Sequence, residues 1–221
     1  MPLLLVYEIG AVVILSQAEV KLVATQWMGK FFEVFGVTGV HLPAIAVVAV
    51  LLGMHLMRKR DPWAPEFKLY LVMYAEAALL AIPLFVFMTV LLREPLSAWA
   101  VSGEAWSGWR EDMIVALGAG IYEELVFRLI AIALIHMLAK DLLALPEEIC
   151  VGASVVISSL GFALIHFIGP TAFNGGLFLL YFVAGIYFAA IYLSRGFGLA
   201  VAVHAFYDVL AFTKEHLYLA G

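Results

Sequence analysis

Seven apolar runs follow one another along the chain, at residues 2–16, 39–57, 68–92, 111–139, 148–168, 174–194 and 198–213. About 20 mostly apolar residues of helix cross a bilayer, and inside hydrocarbon every backbone polar group must find its partner within the segment. A chain patterned this way is expected to be all-α, a polytopic transmembrane helical bundle of about seven spans. Composition agrees: 65% hydrophobic and 13% charged residues, with mean hydropathy +1.06, give more apolar surface than a water-soluble core of 221 residues can bury. The net charge of −5 comes without a basic face, which sets nucleic acid aside as a partner. Cys150 is the single cysteine, so an internal disulfide and a cysteine-rich metal site are excluded.

Between the first two runs, Glu19, Lys21, Lys30 and Glu33 alternate with Trp27, Phe31, Phe32 and Phe35, which suits an interfacial helix lying on the membrane over residues 17–36. No Lys or Arg precedes Lys21, so the first run lacks the charged start of a cleavable signal peptide and reads as a retained span. Arg58-Lys59-Arg60-Asp61-Pro62-Trp63 closes the second run with basic residues, a helix-stopping proline and an interfacial tryptophan, and is placed on the cytoplasmic side. Lys140 and Arg195 then fall on that side too, and the segment from Arg93 to Arg110 falls outside. Neither an internal repeat nor a soluble domain is visible. The whole of 1–221 is read as one integral membrane domain, with N-terminal spans in 1–110 and a core carrying the chemistry in 111–213, in a multi-pass protein of a prokaryotic plasma membrane.

Ionisable residues inside such runs are costly, and they usually face a polar cavity and act there. The fourth run carries Glu123-Glu124-Leu125-Val126-Phe127-Arg128. On an α-helix Glu124 and Arg128 lie one above the other and can neutralise each other, while Glu123 points about 100° away. That leaves Glu123 as an unpaired carboxylate aimed at another helix, the situation of a general base; a packing network of all three charges is the structural alternative. His166 lies near the end of the fifth run, where a hydrogen-bonded interfacial role competes with a chemical one. His204 and Asp208, four apart on the seventh run, share a face and either satisfy each other or converge on a ligand. Separate helices of a bundle are where such groups assemble into one site. Glu76, ahead of Pro83 in the third run, is a weaker candidate for the same cavity, and Glu8 has no assigned role. Phe178, Tyr181, Phe182, Tyr187 and Phe188 are read as facing lipid or neighbouring helices, with the lining of a substrate groove as the alternative for some of them.

The set Glu-Glu-x-x-x-Arg (Glu123, Glu124, Arg128), Phe-x-x-x-His (Phe162, His166) and His-x-x-x-Asp (His204, Asp208), in this order and on separate runs, resembles the CAAX protease and bacteriocin-processing family of intramembrane endopeptidases. The resemblance covers residues 111–212. It implies hydrolysis of a peptide bond in a membrane-embedded or lipidated protein substrate, close to the substrate's membrane segment. It further implies that Glu123 and His166 activate water, that His204 and Asp208 form the oxyanion hole, and that Glu124, Arg128 and Phe162 order the site. Asparagine donates a hydrogen bond at the last position; Asp208 donates only as the acid. Glu123, His166, His204 and Asp208 are also acceptable zinc ligands, so a zinc-dependent version stays open beside the favoured metal-free glutamic mechanism without a cofactor.

Other intramembrane proteases fit less well. The His-Glu-x-x-His motif is absent, Asp208 has no second intramembrane aspartate, and Ser154 is followed by Val155 where a rhomboid-like serine enzyme has glycine. Gly152, Ala153 and Ser154 are read instead as a close-packing patch. Cys150 and His166, sixteen residues apart on one helix, lie about 24 Å from each other and cannot form a dyad. A small proton- or cation-coupled transporter uses similar residues but usually shows paired repeats or broken helices. A non-catalytic scaffold is the third class.

Overall fold

The computed structural model describes residues 2–14, 42–57, 66–92, 109–168 and 172–219, and among them there is no strand. The interfacial helix expected at 17–36 and the basic segment 58–63 lie outside these residues. The described helices are α1 (Pro2–Val13), α2 (Leu42–Met57), α3 (Phe67–Leu92), α4 (Trp109–Glu124), α5 (Ile132–Met137), α6 (Glu147–Ile165), α7 (Gly175–Arg195) and α8 (Phe197–Leu219). The all-helical membrane bundle expected from the apolar runs is the architecture found. Among the described residues, four stretches are long and apolar enough to cross a membrane: Phe67–Val90, Glu147–Ile165, Gly175–Arg195 and Phe197–Lys214. Helix α1, with 12 residues, reaches only about 18 Å.

Past Glu124 the fourth run does not continue as the uniform α-helix that its spacing predicts. Leu125–Ala131 is π-helical, α5 follows, and Leu138–Leu142 is π-helical again. Widened turns of this kind occur mostly as short insertions and often at functional sites. Helix ends elsewhere follow the local sequence. Asn174 caps α7, its Oδ1 accepting from the backbone N–H of Gly176 at 2.8 Å and Leu177 at 3.1 Å. Gly196, at φ +89°, ends α7 in a conformation that glycine adopts without a Cβ penalty and feeds the chain directly into α8.

Helix α8 is the centre of the bundle. It packs on α4, α3 and α7, and its Ala200, Ala202 and Val203 are fully buried. One apolar cluster joins α3, α6, α7 and α8 through Leu84, Phe162, Leu180, Phe188 and Val203; a second joins α1, α2, α4 and α8 through Leu4, Val47, Val115 and Val201.

In lipid, helices gain little from hiding apolar surface from each other, so small residues that let backbones approach decide where they pack. Two such contacts flank the polar residues. A Cβ on Gly120 of α4 would lie 2.8 Å from the backbone nitrogen of Ala205 on α8, so only glycine permits this crossing. A Cβ on Gly185 of α7 would lie 2.9 Å from Ser159 Cβ on α6. The expected patch at 152–154 is not where packing is closest: nothing lies within 4 Å of a Cβ built on Gly152, and the Ser154 hydroxyl donates to its own helix, at Val151 O.

Candidate active site

Because α4 and α8 meet at Gly120 and Ala205, the glutamates one turn beyond Gly120 come opposite His204, the neighbour of Ala205. Glu124 is wholly buried; its Oε1 accepts from His204 Nδ1 at 2.8 Å and its Oε2 is ion-paired with Arg128 Nε at 3.1 Å. The Arg128 guanidinium is itself 1% exposed and donates from Nη2 to the carbonyl of Gly185 at 3.3 Å. It stands 4.4 Å from the centre of the Phe162 ring and 5.5 Å from that of Phe188. A guanidinium between aromatic faces, a carboxylate and a carbonyl is charge-compensated without water. Phe162 also sets its edge toward His166 and His204, at 4.9 Å and 5.9 Å between ring centres.

Glu123 points about 100° away from Glu124 around α4, as a step of one residue on a helix requires. Its Oε2 is 3.9 Å from Nε2 of His166 and 3.9 Å from Nε2 of His204. His166 caps the end of α6, and its Nδ1 meets the carbonyl of Phe162 at 2.7 Å. A carbonyl only accepts, so Nδ1 carries the proton and, in the neutral ring, Nε2 holds a lone pair. His204 is oriented the same way by the Glu124 carboxylate. Its Nε2 lies 3.5 Å from Asp208 Oδ2. The structure therefore gathers Glu123, His166, His204 and Asp208 into one cluster and sets Glu124, Arg128 and Phe162 behind it. The side chains of Glu123 and Asp208 are 10% and 18% exposed, against none for Glu124, so the open side of the cluster is the side of those two carboxylates.

Three other acids lie outside this cluster. Glu76 is ion-paired with Arg195 at 2.6 Å, Glu8 accepts from the Tyr122 hydroxyl at 3.2 Å, and buried Asp112 is bonded to His216. His216 and His136 are both paired, His136 with Glu147 at 2.9 Å. Among the described residues, no three His, Cys, Asp or Glu side chains form a group that could hold a metal ion. Two aromatic residues were not foreseen at the cluster: the Tyr181 ring is stacked on His166 and the Phe188 ring on His204. The signal was present in the sequence, since Tyr181, Gly185 and Phe188 fall at i, i+4 and i+7 and make one stripe of α7.

A helical bundle with this carboxylate–histidine centre between its membrane helices defines an integral membrane protein whose polar chemistry is sequestered from water. Residues 105–210 match the model of the Rce1-like family, described as type II CAAX prenyl endopeptidase Rce1-like, and this match supports a membrane peptidase. The matched residues contain all seven side chains of the cluster and its surround. No curated protein and no solved structure matches the chain.

Proposed function

We propose that the chain is an endopeptidase of the glutamic type that cleaves a membrane-embedded or lipidated protein near its membrane segment, without a metal. The observation that carries the reading is the set of acceptors around Glu123. Its Oε2 and the Nε2 lone pair of His166 face each other at 3.9 Å with no proton between them, while His204 Nε2, also 3.9 Å from Glu123, is the donor on the far side. Acceptors facing each other in a water-poor cavity call for a donor between them, and water supplies two protons at once. Glu123 then takes one proton as the water oxygen attacks the scissile carbonyl, with the His166 lone pair holding the other. The carbonyl electron pair moves to oxygen and is met by His204, a donor at Nε2 as the imidazolium, and by Asp208 as the acid. Collapse of the tetrahedral intermediate breaks the C–N bond, and Glu123 returns its proton to the leaving nitrogen.

The family match supports a CAAX-type substrate, and the position of the cluster between membrane helices supports a substrate that reaches it from the bilayer. Two probes separate these: an internally quenched S-farnesylated peptide with a Cys-aliphatic-aliphatic-X end, and a single-span transmembrane peptide, each in micelles with the purified protein. Cleavage of at least one by the wild type, lost in a folded Glu123→Gln variant, is the expected result. Equal turnover by wild type and Glu123→Gln removes Glu123 from the chemistry.

A further inference from the structure

Two histidines meet in the cluster, and each lies flat on an aromatic ring of the same helix. His166 and Tyr181 have ring centres 3.9 Å apart with planes at 19°; His204 and Phe188 are 4.4 Å apart at 13°. Tyr181 and Phe188 are two turns apart on α7, so one face of that helix serves both imidazoles. The two histidines need this support unequally. His204 lies within α8 and is held by a charged hydrogen bond to Glu124. His166 lies one residue past the last α-helical turn of α6 and has a single hydrogen bond at Nδ1, to its own helix at Phe162 O. One such bond fixes a point of the ring and leaves the ring free to rock about it. A face-to-face neighbour removes that freedom, because rocking breaks the stack.

We propose that Tyr181 is a positioning residue that clamps the His166 imidazole in the one orientation in which Nε2 faces Glu123. Tyr181 is suited to the task because it does not itself yield. It is 7% exposed, belongs to the apolar cluster of α3, α6, α7 and α8, and is backed by the edge of Phe167 at 6.0 Å. The His166 contact uses the ring face, which phenylalanine shares, and not the hydroxyl. The proposal rests on the peptidase reading for its effect on rate, but not for its effect on the imidazole.

The test is therefore read in two ways. Protein labelled with 15N-histidine, in micelles without substrate, reports the His166 tautomer, assigned by a His166→Gln variant. Wild type and Tyr181→Phe should show one tautomer with the proton on Nδ1, and Tyr181→Leu a signal averaged over both nitrogens. With the quenched farnesylated peptide, Tyr181→Leu should lose roughly 10- to 100-fold in kcat with KM within about twofold, since misplacing a reacting group by about 1 Å costs on this scale. Tyr181→Phe should retain kcat within about threefold. If Tyr181→Leu melts early, Tyr181→Met keeps the volume without a ring face and takes its place. An unchanged His166 signal in a folded ring-less variant overturns the clamp, whether or not the peptide is cleaved. So does a Phe variant whose kcat falls as far as that of Leu, which would assign the role to the hydroxyl.

Discussion

Glu124 and His204, 80 residues apart in the chain, are joined by a 2.8 Å hydrogen bond in which neither partner has appreciable contact with solvent. The bond makes the two glutamates unequal. Glu124 spends one oxygen on His204 and the other on Arg128, while Glu123 keeps its carboxylate for the open side of the cluster.

Removing the Glu124 charge should therefore damage stability as well as chemistry. Glu124→Gln leaves a buried guanidinium without its counter-ion, and breaking such a pair costs about 3–5 kcal/mol. Glu123→Gln, which breaks no such pair, should melt near the wild type. Pairing Glu124→Gln with Arg128→Met should recover much of the lost stability and none of the activity. Thermal unfolding in detergent beside cleavage rates gives the comparison, and Glu124→Gln melting with Glu123→Gln would show the ion pair to be dispensable.

Asp208 and an asparagine should do the same work by different means. If Asp208 donates to the oxyanion as the acid, activity falls as rising pH removes its proton, and Asp208→Asn stays active while losing that alkaline limb. Asp208→Ala should be nearly inactive. A folded Asn variant that is dead at every pH assigns Asp208 a carboxylate role instead, orienting His204 or holding a metal.

Elemental analysis of active, purified protein should give clearly less than one zinc per chain, with cleavage surviving strong chelators. Stoichiometric zinc, lost together with activity and restored with it, would place the four cluster residues around a metal.

The two glycine crossings should differ in whether they can be repaired. Gly120→Ala drives a methyl against the backbone nitrogen of Ala205 at 2.8 Å, so trimming the neighbour with Ala205→Gly should not restore activity. In Gly185→Ala the nearest atom is Ser159 Cβ at 2.9 Å, which Ser159→Gly removes, leaving Ser159 Cα at 3.1 Å. Partial rescue is expected there and not at Gly120, with each unrescued change costing about 1–3 kcal/mol of stability. Equal rescue at both crossings would contradict the backbone contact.

The helical bundle and the six ionisable residues of the candidate site were legible because charge inside an apolar run is conspicuous whatever surrounds it. Glu123, Glu124, Arg128, His166, His204 and Asp208 announce themselves by cost, and their i, i+4 spacings fix which share a face. What escaped is what composition disguises. Tyr181 and Phe188 belong to a run in which aromatics are common, and nothing local separates a ring stacked on histidine from a ring in lipid. The close approach at Gly185 was sought at Gly152 because small residues mark a permission to pack, and only the partner helix decides where it is used. The π-helical segment after Glu124 left no trace in residue spacing, since Glu124 and Arg128 still pair at i, i+4 across its start.

Arg128 touches three helices at once: its own, α6 through Phe162 and α7 through Phe188 and the Gly185 carbonyl. Its ion-pair partner Glu124 is completed by His204 on α8, 80 residues further along the chain. A nascent chain that has inserted only α4 and the π-helical segment after it carries Glu123 and Arg128 with none of these contacts. The polar centre is complete only once α8 docks, so a chain that has not yet made α8 has no assembled site.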